Sequence, residues 1–143
     1  MQWLAGMRIT EDRLNDNTAD ETTTSGLTTA TRFDNPNFNG KKVNGVTTVN
    51  ITVSRNDPGN ANIAEVTATS AGNITPDVLC CTLPVGWRPP ETVTTSFDSS
   101  GTRDGSITIL SNGTCTIKTM SPNSTMPDNS TVNFFAEWIS ENN

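Results

Sequence analysis

Few side chains in this 143-residue sequence could carry chemistry. It has no histidine and no tyrosine, so neither a Ser–His–Asp nor a Cys–His arrangement can form within it. Asp98 and Asp104 flank the turn Asp98-Ser99-Ser100-Gly101 and could approach each other as a glycosidase pair does. Acids beside a Gly/Ser turn are, however, ordinarily loop formers. Asp57 with Asn56 and Asn60, or Asp98 with Asp104, offers oxygens to calcium without the alternating ligand order of a dedicated loop. No Gly-rich phosphate loop is present. Cys80, Cys81 and Cys115 are poorly spaced for zinc and read as reduced core thiols rather than a disulfide framework. On a regular strand only one of the adjacent pair could share a face with Cys115. The expectation is a protein without catalysis, metal or cofactor.

Saccharide binding fits what remains. Sugar sites need amides, carboxylates and an aromatic platform on rigid loops. Trp87 with Arg88, the loop carrying Asp98 and Asp104, and the loop Asn123–Asn129 are the candidate parts. Trp87 and Trp138 suit a core or an interface equally well.

Composition narrows the partners. A net charge of −6 and a pI near 4.4 argue against nucleic acid, whose phosphates need clustered Lys and Arg. Lys41-Lys42 reads as a solvated turn. Only 32% of residues are apolar, thin for a self-sufficient core, and burial against identical copies would relieve that shortage. No apolar run approaches ~20 residues, and Met1–Gly6 lacks the basic and apolar regions of a signal peptide. The expectation is a soluble chain made in a cytoplasm.

The elements that must position these residues are mostly strands. Residues 1–17 form a separate unit. Trp3, Leu4, Met7 and Ile9 make an apolar cluster, and Thr10 can cap a short helix with Leu14 as its buried contact. One short helix cannot fold alone, so this cluster must dock on something, its own domain included. Residues 18–32 are a polar, Thr-rich linker, and residues 33–143 are the β-rich head. Alternation predicts strands at 46–53, 63–69, 78–83, 91–97, 105–110, 114–119 and 131–139. Phe33 to Gly45 reads as turn-rich, 121–130 as a long exposed loop, and Asn112-Gly113 as a hairpin turn. Seven or eight short strands argue an antiparallel β-sandwich or jelly roll. The last strand carries Val132, Phe134, Ala136 and Trp138 on one face and Phe135 and Ile139 on the other. It should be buried on both, against the core and against a symmetry mate or sandwich partner. Phe135, Trp138 and Ile139 are therefore the candidate subunit-interface residues.

Between the strands runs a stiff crossover, Thr82 to Val93, fixed by Pro84, Pro89 and Pro90. Its Leu83-Pro84-Val85-Gly86-Trp87-Arg88-Pro89, followed by the hairpin Ile107 to Ile117 around Gly113, resembles the C-terminal head domains of bacteriophage tail-fibre and receptor-binding proteins. The run from Trp3 to Asn15 is similar to openings found in structural and tail proteins of phages of high-GC Gram-positive hosts. These resemblances imply a homotrimeric virion protein without enzymatic activity. Residues 1–17, through Trp3, Leu4, Met7, Ile9 and Leu14, would attach or trimerise it on the tail or baseplate. Its head would face a host surface glycan. The alternative is a capsid decoration or head-fibre protein, docked through its N-terminus on the major capsid protein.

Overall fold

A computed structural model describes residues 20–56 and 66–140. The expected N-terminal helix, the Asp57–Asn60 turn and attachment residues Trp3, Leu4, Met7, Ile9 and Leu14 lie outside them. The described chain is all-β. Its strands are β1 (Glu21–Thr23), β2 (Thr28–Thr29), β3 (Phe33–Val43), β4 (Val46–Arg55), β5 (Val66–Thr67) and β6 (Asn73–Thr82). After the crossover come β7 (Val93–Ser99), β8 (Arg103–Ile109), β9 (Thr114–Met120), β10 (Thr125–Met126) and β11 (Thr131–Ile139). Nine of them form one antiparallel sheet in the order β1-β3-β4-β11-β7-β8-β9-β6-β2, and β10 pairs with β5 in a separate ribbon.

This sheet cannot be flat. Its two edge strands, β1 and β2, are joined by residues 24–27 alone, a link that spans at most about 18 Å. Nine strands laid flat would separate those edges by about 38 Å. The sheet therefore curls into a half-barrel, and the chain crosses the seam again between β2 and β3. There the Phe33 N–H donates to Ala30 O at 3.0 Å, and the Ala30 N–H donates to Cys80 O at 3.0 Å. Where alternation predicts a two-layer sandwich, one continuous sheet wraps the core.

The concave face holds that core. β4 contributes Val49, Ile51 and Val53, and β11 contributes Val132, Phe134, Ala136 and Trp138. The two strands pair along the whole of β11, from Thr131↔Ser54 to Ile139↔Val46. β8 and β9 face them with Ile107, Ile109, Cys115 and Ile117. Each fully buried Ile or Val stabilises the fold by about 1.5–3 kcal/mol, and β-branched side chains suit a pleated, half-buried surface. The β8–β9 hairpin turns at Ser111-Asn112-Gly113, as Asn-Gly predicts. Only Gly113 takes positive φ (91°), while Asn112 Oδ1 accepts from the Thr114 N–H at 3.1 Å.

Three predictions need correction. Within the expected turn-rich stretch, Phe33–Val43 is a strand of eleven residues, because a bulge between Asp34 and Asn37 absorbs Asn35-Pro36, and only Asn44-Gly45 turns as expected. β6 begins at Asn73 rather than Val78, again across a register shift, which accommodates Pro76. The convex face of β11 is uncovered among the described residues: Phe135 is 51% and Ile139 76% exposed.

Candidate functional site

The half-barrel has two ends. The entry end gathers the start of β1, the β3–β4 turn at Asn44-Gly45, the crossover and the β8–β9 turn. The Asn44 N–H donates to Asp20 Oδ1 there, at 3.4 Å. The far end carries the β7–β8 turn and residues 121–130.

The crossover plugs the entry end. The Trp87 N–H donates to Pro84 O at 3.1 Å, which closes a turn. Its ring is buried and meets Phe38 edge-on, with centroids 6.4 Å apart. It lies against the Gly40 backbone, where an added Cβ would sit 2.8 Å from the ring. Lys42 Nζ stands 4.6 Å from the ring centroid and 3.9 Å from the Glu21 carboxylate. The Arg88 guanidinium turns back, its Nε donating to Leu83 O at 2.9 Å, while the Leu83 N–H donates to Gly113 O at 2.9 Å. Trp87 and Arg88 thus anchor the plug.

Asp98 and Asp104 lie at the other end. They are direct cross-strand partners on β7 and β8, a pairing that costs energy for like charges unless each finds its own donor. Asp98 Oδ2 accepts from the Gly101 N–H at 3.0 Å, and Asp104 Oδ1 accepts from the Ser121 hydroxyl at 3.1 Å. Both carboxylates therefore tie turns together. The parts proposed for one saccharide site fall at opposite ends of the head.

The thiols converge beyond expectation. A register shift between Leu79 and Cys81 makes Cys80 the extra residue of a bulge, so Cys80 and Cys81 are both fully buried with Cys115. Cys81 pairs directly with Cys115, and the Sγ atoms of Cys80 and Cys81 are 3.7 Å apart. The hydrogen bond from Cys115 pulls the Cys81 pKa down, but the Cys80 hydrogen bond, burial and repulsion from Cys80 together push it well up. Cys115 is pushed further up, first by its hydrogen bond with Cys81 and then by burial. Such thiols stay protonated and inert.

Two clefts open beside Trp138 at the entry end. The first, about 240 Å³, is lined by Lys42, Thr47, Arg88, Trp138 and Ser140, with Gly86 and Pro90 at its rim. The Thr47 and Ser140 hydroxyls hydrogen-bond to each other. The second, about 580 Å³, lies between the starts of β7 and the end of β11, lined by Pro90, Glu91, Thr92, Val93, Trp138 and Ile139. It exists because β11 pairs with β7 only at Asn133↔Asp98 and Phe134↔Phe97. Beyond that point the Thr95 hydroxyl donates to Phe135 O at 2.7 Å. Of the expected interface residues, Phe135 and Ile139 share the convex face, and Trp138 points inward as the wall of both clefts.

Sequence reasoning passed over Thr47 and Ser140, which nothing in their neighbours marks out, and it read Lys41-Lys42 as a solvated turn, whereas both lie on β3 and Lys42 stands over the Trp87 ring. Gly40 carried a usable signal, since a glycine inside a strand often marks close approach of another group. No family model, curated protein or solved structure matches this chain.

Proposed function

We propose that this chain is a non-enzymatic structural protein of a bacteriophage virion, a short tail fibre or receptor-binding protein. In this reading it is a homotrimer whose jelly-roll-like β-head contacts the host surface, with a cell-surface glycan as its partner there. The observation that carries the reading is the polarity of the head. The chain enters beside Asn44 and Asp20, so whatever precedes residue 20 leaves from the end that also bears the exposed apolar Val85, Leu110 and Ile139. The turn at Ser99–Thr102 and the segment 121–130, which is pinned by its β10 pairing with β5, lie at the opposite end. Attachment at one end and loops at the other suit a protein that hangs from a particle. Phe135 and Ile139, bare on a convex face that β11 otherwise lines with Thr131, Asn133 and Glu137, supply the contact between copies.

The same build serves a capsid decoration or head-fibre protein, and one observation favours that reading. The far-end residues 99–102 and 121–130 contain no aromatic side chain, whereas saccharide sites ordinarily use one as a platform. Gold labelling of intact virions with serum against the head separates the two. Label at the tail tip supports receptor binding, label over the shell supports decoration, and absence from purified virions overturns both.

A further inference from the structure

The smaller cleft beside Trp138 is basic in an acidic chain. The sequence has 15 acidic and nine basic side chains, yet two basic residues, Lys42 and Arg88, and no acidic one line this space. Lys42 pairs directly with Thr47, and Thr47 with Trp138. The three stand in one row across the neighbouring strands β3, β4 and β11, about 4.8 Å apart. Thr47 and Trp138 are buried on the concave face, so Lys42 points inward with them. Arg88 supplies another wall from the crossover, and its guanidinium is held in place. Its Nε donates to Leu83 O at 2.9 Å, and it packs on Gly113, where an added Cβ would sit 2.6 Å from Nε. The two terminal amino groups of that guanidinium have no hydrogen-bond or ion-pair partner among the described residues. The Thr47 and Ser140 hydroxyls bond to each other, which uses one of their two protons. The second proton has no acceptor among the described residues.

We infer that this cleft binds the carboxylate or phosphate group of a small ligand, up to the size of one acidic sugar. The chemistry of the lining selects an oxyanion. Lys42 and Arg88 donate hydrogen bonds and cannot accept them, and the spare hydroxyl proton is a third donor. An oxyanion only accepts. A guanidinium presents a planar fork that engages two oxygens of such a group at once, and Lys42 adds a second charge. Glu21 reaches Lys42 Nζ from 3.9 Å but is itself more than half exposed, so it competes for one cation and leaves Arg88 untouched. Size narrows the ligand further. About 240 Å³ lies just below the range of drug-sized pockets, which suits one small molecule. Two cations are too few for the run of phosphates on a nucleic acid. The buried Trp138 ring forms an apolar wall for the rest of the ligand. This inference goes beyond the virion assignment and does not depend on it.

The test titrates the full chain, labelled with nitrogen-15, with inorganic phosphate, glucuronate and uncharged glucose at constant ionic strength. The signals read by NMR are the Trp138 indole N–H and the Ser140 amide, with the Gly101 amide at the far end as control. At least one of the two anions should shift the cleft signals saturably, with a Kd of about 1 mM or tighter, and leave Gly101 in place. Saturation by both assigns recognition to the oxyanion alone. Glucuronate without phosphate adds the sugar ring to what is recognised, and phosphate without glucuronate narrows the ligand to phosphate esters. Arg88→Gln and Lys42→Met should each weaken binding at least about tenfold, as loss of a hydrogen bond between charged groups does. Lys42→Met keeps an apolar stem beside Trp87, which guards against collapse of the plug. Glu21→Gln removes the competing carboxylate and should tighten binding about two- to fivefold, a gain that a loosened fold would not give. Three results overturn the inference: saturation by neither anion, equal binding of glucose, or a Kd that neither Arg88→Gln nor Lys42→Met changes.

Discussion

Replacing Trp87 with Ala, alone and together with Gly40→Ala, tests whether the crossover is a packed plug or a surface loop. Trp87 is buried, meets Phe38 edge-on and carries Lys42 over its ring. Its loss should cost about 3–5 kcal/mol, the range for a large core aromatic. The Lys42 contact accounts for only about 0.5–1 kcal/mol of that. Gly40→Ala acts from the other side. Its Cβ would lie 2.8 and 2.9 Å from two ring carbons, so the ring or the strand must move, an overpacking cost of about 1–3 kcal/mol. In the double variant the ring is gone and the new methyl group enters the space it left. Gly40→Ala should then be neutral or favourable, and the two changes should couple by about 1–3 kcal/mol. The assay is urea unfolding followed by far-ultraviolet circular dichroism, because removing Trp87 alters fluorescence. The midpoints should shift at constant m. Costs that add within about 0.5 kcal/mol would show that the ring does not lie on Gly40, and the plug would fall with it.

Other expectations follow from the same geometry. Trp138→Ala should cost about 3–5 kcal/mol in unfolding measurements because the ring is buried. Phe135→Ser and Ile139→Ser, at exposed sites, should change stability by no more than about 0.5 kcal/mol; a lowered sedimentation mass in either would identify the convex face as the contact between copies, and unchanged mass would exclude it. Cys81 and Cys115 hold their protons in the folded state above the ordinary thiol value of 9.0. The unfolded chain therefore binds fewer protons above that pH, and stability should fall as pH rises from about 9, by up to about 1.4 kcal/mol per pH unit for each thiol. Cys81→Ala with Cys115→Ala should flatten that alkaline limb in pH-dependent melts. Deleting residues 1–14 should leave the circular dichroism of the head intact, since every strand described begins at Glu21 or later. Loss of the β signal would make the N-terminus part of the fold.

Strands whose apolar residues alternate were legible. Thr131 to Ile139 matches β11 end to end, and 46–53 and 114–119 fall inside β4 and β9. Elements held by partners rather than by pattern were not. β1 and β2 lie in the polar stretch 18–32, where Thr and Glu give no alternation, and they exist because β3 and β6 offer edges to pair with. β3 was hidden by Asn35-Pro36, whose turn signal the bulge absorbs. The candidate site was split because Trp87, Asp98 and Asp104 are close in sequence, while β7 carries the chain from one end of the head to the other between them. Both cysteines of the adjacent pair face inward because a bulge breaks the alternation on which the one-face rule depends.

The four-residue link between β1 and β2 makes the two rims of the sheet neighbours in sequence. A single proteolytic event that trimmed the chain past Ala30 would strip both rims at once. It would free Gly40–Lys42 of β3 and Cys81–Thr82 of β6, the parts of those edges that β1 and β2 pair, and so lengthen both. Each could template the other on a second molecule, head to tail. Two strands of three and two residues thus shorten the free edges that a second molecule could pair with.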